Sequence, residues 1–230
     1  MNILLWPQSL KRISIFEHSD AFNRVLYDDP MYRKCPQLGR NLYKRSLQLE
    51  ELYISNFADA RSFLEPYFNK QLNTKLPVWT QLKQISLTSP VISPVEDVEE
   101  INDLLQAAGK AARHMPLLEV MELYNADRTS AGAFTYARTA DPGYVSTENT
   151  SMVIWKATWR LEMDHRVRQT WQSTVEKLTG SRLALVQEIH LSSYDGPINF
   201  LQNMMTGESI MNPSSCSRIL KDYRALSVAP

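Results

Sequence analysis

Leu82-Lys83-Gln84-Ile85-Ser86-Leu87 decides the fold, because the same order of residue types returns along the chain. Each copy reads apolar, two other residues, apolar, one other residue, apolar, with a Lys, Glu or Gln straight after the first apolar residue. The copies are LKRISI at 10–15, LEELYI at 49–54, LKQISL at 82–87, LEVMEL at 118–123 and VQEIHL at 186–191. The first four start 33 to 39 residues apart, and the last interval is about twice as long. Such a period indicates a chain built from repeated units.

The alternation inside each copy is typical of a half-buried strand whose fourth and sixth residues face the core. A helix-like segment follows each strand and returns the chain to the next one, so the strands should lie side by side and parallel, with helices behind them. The sequence therefore predicts an α/β fold: a leucine-rich-repeat-like solenoid with a mostly parallel sheet backed by helices. The period is longer than the usual ~20–29 residues, and the Asn that often ends the motif is missing, so the units should be irregular.

The long interval between the fourth and fifth copies predicts one inserted hairpin-like pair. Its strands are 134–138 and 152–159, separated by a polar loop that contains Asp141-Pro142-Gly143. One helix is predicted to start at Ser93-Pro94 with a capping box and to stop near Pro116. We expect one domain over residues 1–206 and a C-terminal tail over residues 207–230.

The composition argues against several classes of protein. The chain has 25 basic and 25 acidic residues, so it lacks the basic excess of most nucleic-acid-binding proteins. No apolar run approaches the ~18 residues of a membrane span. Cys35 and Cys216 lie far apart and form no CxxC pair, which fits a reducing compartment. We therefore expect an intracellular protein, cytoplasmic or nuclear, without a nucleic-acid or membrane partner.

No catalytic motif is recognisable. The chain lacks GxSxG, GxxxxGK[ST], GxGxxG and HExxH. Glu162 and His165 are three residues apart, but no third metal ligand accompanies them, and Cys35 has no histidine beside it in sequence. We predict no catalytic residue, no metal ligand and no cofactor, so an enzymatic activity is not expected.

The third, fifth and seventh residues of each strand should face away from the helices and form a mixed polar and aromatic surface. Tyrosine is favoured at interfaces because it buries a large area at low entropic cost. The alternative is an ordinary solvated sheet face. The candidate binding residues on this surface are Tyr53, Glu51, Gln84, Glu122, Tyr124, Glu188 and His190.

One block of the chain resembles a family. The stretch from Ile101-Asn102-Asp103-Leu104-Leu105 through Met115-Pro116 to Leu118-Glu119-Val120-Met121-Glu122-Leu123-Tyr124-Asn125 is similar to a block of filamentous-fungal F-box-type proteins, in which an uncharacterised leucine-rich-like domain follows an F-box. The resemblance continues more loosely at Gly132, Phe134, Tyr136, Trp155, Thr158, Trp159 and Trp171.

The resemblance implies a substrate-receptor-like domain. In the family, the F-box precedes the repeats and docks on a Skp-type adaptor of a ubiquitin ligase. Here the first repeat begins within ten residues of Met1, so we expect the F-box, and with it the adaptor contact, to be missing. The predicted function is binding of an unknown protein partner. The alternative is a small accessory protein or enzyme of fungal secondary metabolism.

Overall fold

The computed structural model describes residues 6–7, 9–16, 36–68, 76–127, 129–139 and 150–206. They form one seven-stranded sheet, in chain order from edge to edge. The strands are β1 Arg12–Phe16, β2 Glu51–Ser55, β3 Gln84–Thr88, β4 Val120–Ala126, β5 Ala131–Thr139, β6 Thr150–Ala157 and β7 Leu183–His190. The helices are α1 Pro36–Ser46, α2 Ala60–Phe63 with a 3₁₀ turn at Glu65–Tyr67, α3 Val98–Ala112, α4 His165–Thr179 and α5 Pro197–Gln202.

Six of the seven strands run in one direction. Strands β1 to β4 are parallel to one another, β5 is antiparallel to both β4 and β6, and β6 is parallel to β7. This confirms a mostly parallel sheet backed by helices, and the sheet is not closed into a barrel. The predicted hairpin-like pair is confirmed as β5 and β6, which pair antiparallel. Strand β5 extends beyond the predicted residues 134–138 at both ends, and β6 begins and ends two residues earlier than the predicted 152–159.

The first four copies of the repeat lie in one register. Their third residues, Arg12, Glu51, Gln84 and Val120, are direct neighbours across β1 to β4. The fourth and sixth residues of these copies all pack in the core between the sheet and the helices, as the alternation predicts. These inward residues are Ile13, Ile15, Leu52, Ile54, Ile85, Leu87, Met121 and Leu123.

The prediction of which residues of the fifth copy face the helices is wrong. Through β5 and β6, Glu188 of β7 lies level with Leu123, whereas the repeat alignment would place it level with Val120. An offset of three residues is odd, and an odd offset exchanges the two faces of a strand. A register irregularity at Ser151/Met152 accompanies the shift. Glu188 consequently faces α4, where it forms an ion pair with Arg168 at 3.2 Å.

Two tryptophans anchor the helices to the sheet. Trp79 is fully buried and donates its indole N–H to Ser46 Oγ at the end of α1, at 2.7 Å. Trp171 of α4 donates to the Leu105 carbonyl of α3 at 3.0 Å and stacks on Tyr136 of β5. A buried indole N–H needs an acceptor, so each bond also fixes where its helix sits.

The helix boundaries follow local chemistry. The prediction that α3 starts at Ser93-Pro94 is wrong, because α3 begins at Val98 and Asp97 caps it by accepting from the Glu99 N–H at 2.9 Å. A carboxylate at this position satisfies an otherwise unpaired amide and also suits the helix dipole. Gly180 ends α4 at φ 69°, a left-handed conformation in which glycine has no steric penalty.

Candidate protein-binding face

The face of the sheet opposite α1 to α4, called here the open face, combines buried polar residues with buried apolar ones such as Tyr53 and Tyr124. Whereas the helix-facing residues of β2 to β4 are apolar except for Asn125, several outward positions carry hydroxyls and a carboxylate that are nevertheless buried. These buried polar residues of β2 to β5 are Ser55, Ser86, Thr88, Glu122 and Thr135. Burial of polar groups is unfavourable unless they are hydrogen-bonded, and on this face Ser86 donates to Glu122 at 3.3 Å.

Part of the open face forms a hydrogen-bonded group of four side chains, called here the Tyr53 cluster: Arg12, Glu51, Tyr53 and Gln84. The Tyr53 hydroxyl lies 2.9 Å from Glu51 Oε2 and 2.7 Å from Gln84 Oε1. Arg12 lies over the Tyr53 ring at 5.1 Å and forms an ion pair with Glu51 at 3.3 Å. Three strands therefore contribute to one polar group whose ring is buried and whose charged ends reach solvent.

Residues 191–206, called here the strap, follow β7, include α5 and pack on the open face. Ile198, Phe200 and Leu201 of the strap are buried in a second apolar cluster that also contains Tyr53 and Tyr124. The strap is further attached through Tyr194, whose hydroxyl donates to the Asp127 carbonyl in the β4–β5 turn at 2.5 Å.

Glu122 lies at the centre of the contact between sheet and strap. Its carboxylate accepts from the Met205 backbone N–H at 2.9 Å, from the Thr206 hydroxyl, and from the Ser86 hydroxyl at 3.3 Å. Burial raises the pKa of Glu122, and these hydrogen bonds oppose that rise. Among the ion pairs of the described residues, none involves Glu122. This carboxylate is thus surrounded by neutral donors, two of which belong to the strap.

The seven predicted binding residues fall into three groups. Glu51, Tyr53 and Gln84 do come together, in the Tyr53 cluster. Glu122 and Tyr124 lie on the same face but are completely covered.

Glu188 and His190 lie elsewhere. Both belong to the copy whose faces are exchanged, and His190 pairs with Ala157, which belongs to the core on the helix side. Because laterally paired residues point to the same side of a sheet, these two side chains do not contribute to the open face.

Sequence reasoning missed the strap. A signal was present, since Ile198, Phe200 and Leu201 form an apolar group directly after Gly196-Pro197, and proline is favoured at the first turn of a helix. The presence of two large aromatic residues at outward strand positions was a second signal, because such residues are usually covered.

A concave region lies between α1 and α2, away from the open face. This cleft of about 360 Å³ is lined by Pro36, Arg40, Arg61, Ser62, Glu65 and Phe68.

Its charged groups are already paired. Arg40 holds Glu65 through two bonds, at 2.5 and 2.7 Å, and lowers the pKa of that carboxyl, while Arg61 pairs with Glu100 at 2.8 Å. A carboxylate of lowered pKa is a weak base, so the cleft offers little for acid–base chemistry.

The candidate enzymatic groups do not assemble in the described part of the chain. His165 is the first residue of α4 and Glu162 precedes that helix, so they do not share a helix face. Cys35 lies outside the described residues. Within the described ranges, no three His, Cys, Asp or Glu side chains are arranged to hold a metal ion, and no helix is long and apolar enough to cross a membrane.

The fold and the open face together define an α/β protein with a mostly parallel, open sheet, helices on one side and the strap packed on the other. The sequence profile of a family of unknown function, DUF6546, matches residues 5–206, and the chain belongs to this family. No curated protein and no solved structure matches the chain.

Proposed function

We propose that the chain is an intracellular protein-binding, substrate-receptor-like module, built as an irregular leucine-rich-repeat-like solenoid. The observation that carries this proposal is the Tyr53 cluster. In it, side chains from β1, β2 and β3 hold one another in place while Arg12 and Glu51 remain partly exposed, with side-chain exposures of 52% and 32%.

Such a cluster suits protein recognition for two physical reasons. Side chains that are already ordered lose little conformational entropy on binding, so more of the contact energy appears as affinity. Arginine is also among the residues that most often dominate the energy of an interface, and Arg12 is partly exposed. A partner surface with a carboxylate for Arg12 and an amide for Gln84 would be complementary.

The resemblance to fungal F-box-type proteins supports a receptor role in ubiquitin transfer, which stays a prediction. A direct test is whether the purified chain binds a Skp-type adaptor. Adaptor binding would connect the module to a ligase, whereas its absence would leave a binding module that works without one.

The function is tested by affinity capture from fungal lysate with the wild type and an Arg12→Ala/Gln84→Ala variant. Both changes remove exposed or half-buried groups, so the fold should survive, unlike truncation of the buried Tyr53 or Tyr124 to alanine. The matched control changes the same residue types on the outer surface of α4, as Arg166→Ala/Gln172→Ala.

Each captured protein is then purified and titrated directly against the three proteins by calorimetry. The proposal predicts a partner whose affinity falls at least tenfold in the Tyr53-cluster variant and is unchanged in the α4 control. If the wild type binds no protein, or if both variants bind as the wild type does, the proposal is wrong.

The alternative role, as a small accessory protein or enzyme, would use the cleft between α1 and α2 as a ligand site. Arg40 and Arg61 would favour a small anionic ligand there if one of their acidic partners were displaced. Thermal-shift screening with carboxylate and phosphate compounds tests this role, with Arg61→Ala as the control that should abolish any shift.

A further inference from the structure

The open face and the helix-facing side of the sheet would expose different kinds of residues if their covers were removed. Removing α3 or α4 would expose a continuous apolar layer, whereas removing the strap would expose hydroxyls and the Glu122 carboxylate together with two tyrosines and small alanines. Hydration of the carboxylate would offset part of the loss of apolar burial. Among the described elements that pack on the sheet, the strap thus covers a surface that mixes apolar residues with hydrogen-bonding groups.

The strap contacts this surface in the way a bound peptide does. A short helix buries Ile198, Phe200 and Leu201, and the turn after it presents a backbone N–H and a hydroxyl to Glu122. Helix-in-groove recognition uses the same combination of apolar anchors at helical spacing with polar groups that set the register. The chain thus contains both a surface with apolar and hydrogen-bonding groups and a segment bound to it.

We propose that the strap occupies a peptide-binding surface on the open face and competes there with a partner segment of the same chemistry. That partner would be a short helix with apolar anchors spaced like Ile198, Phe200 and Leu201, followed after about one turn by a residue with a hydroxyl group. The inference rests on the proposed protein-binding function and names a second contact surface beside the Tyr53 cluster. The strap would then set how readily a partner binds.

The strength of this competition follows from mass action. A ligand attached by a short connection has an effective concentration in the millimolar range, so it remains bound even when its intrinsic affinity is modest. The apparent affinity for an outside peptide is proportional to the fraction of molecules in which the strap has left this surface. Weakening the strap should therefore strengthen binding of an external peptide.

The test measures binding of a fluorescein-labelled peptide with the sequence of residues 191–206 by fluorescence anisotropy. The protein is the full chain, as wild type and as an Ile198→Ala/Leu201→Ala variant. These two changes weaken the contact of the strap with the sheet but leave the sheet residues under it unchanged. We expect the variant to bind the peptide on the order of tenfold more tightly than the wild type. Adding Glu122→Gln to the variant should reduce this affinity, and a peptide carrying Phe200→Ser should not bind.

Hydrogen exchange of the wild type provides a second measurement should the variant not fold. If the strap opens on its own, the Met205 amide should exchange at least tenfold faster than the amides of β4. Equal exchange rates, or a folded variant that binds the peptide no better than the wild type, would overturn the proposal.

The two proposals fail separately. A loss of peptide binding leaves the capture experiment with Arg12 and Gln84 intact, and a failed capture does not change the competition between strap and peptide.

Discussion

Replacement of Trp79 by phenylalanine should destabilise the protein by about 2–4 kcal/mol. The side chain is fully buried among Tyr43, Phe63 and Tyr67, with ring centroids 5.1 to 6.2 Å away. Loss of the N–H···Oγ bond to Ser46 accounts for roughly 1 kcal/mol, and the cavity left by the smaller ring for roughly 1–3 kcal/mol.

The hydrogen bond can be separated from the packing by a double-mutant cycle. Ser46→Ala removes the acceptor and leaves the indole N–H buried without a partner, at a cost of about 1–3 kcal/mol. The double variant with Trp79→Phe lacks both the indole N–H and its acceptor hydroxyl, so no indole N–H is left buried without a partner. The combined loss of stability should therefore be smaller than the sum of the two single losses by about 1 kcal/mol.

Urea denaturation followed by circular dichroism measures all four free energies of unfolding, and an unchanged m value shows that the unfolding transition is comparable. Additive effects would refute the argument, because they would mean that Trp79 and Ser46 do not depend on each other. A loss below about 1 kcal/mol for Trp79→Phe would likewise show that the site can repack.

Three further predictions concern close packing, pH and the binding face. Gly39→Ala should cost about 1–3 kcal/mol, because a Cβ there would lie 2.6 Å from Ser62 Cβ, whereas Gly180→Ala, in open space, should cost only the roughly 1 kcal/mol of its positive φ; thermal denaturation compares them. Burial raises the pKa of Glu122, so its contribution to stability is present below the ordinary value of 4.5 and is lost as pH rises through the higher native pKa. Glu122→Gln should therefore be more stable relative to the wild type at about pH 8 than at about pH 4, and urea titrations at both pH values that give equal differences would contradict this. Tyr53→Phe should change stability by less than about 1 kcal/mol, because the groups around its hydroxyl reach solvent, while weakening partner binding in calorimetry.

The parallel part of the sheet could be predicted because its signal is local. Each of the first four copies carries its own alternation, and the copies differ little in period, so the same residue of each copy meets its neighbours in register. For example, the two-residue period of a strand directly predicts that Ile85 faces the helices and Ser86 faces the other side of the sheet.

The orientation of the fifth copy could not be predicted from its own six residues. Its register depends on β5 and β6, which intervene between it and the fourth copy, and on the irregularity at Ser151/Met152. Sequence similarity to the other copies carries no information on that register. An error of one or three residues moves Glu188 and His190 to the opposite side.

The candidate site was predicted only in part, because exposure depends on what covers a surface. The strand pattern correctly placed Tyr53 and Tyr124 away from the helices, but an outward position is exposed only if nothing else packs on it. The cover comes from a segment about 70 to 150 residues away in sequence, and no local pattern links Glu122 to Met205 and Thr206.

The single antiparallel strand has a consequence for the order of folding. Only residues 127–130 separate β4 from β5, so their pairing closes a small loop, whereas each parallel pairing must first close a loop of about 30 residues. We expect the β4–β5 hairpin to be structured early in the folding transition state, with φ values near those of a nucleus, and the β1–β2 pairing to form late. The strand that interrupts the repeat would then be the point from which the repeats assemble.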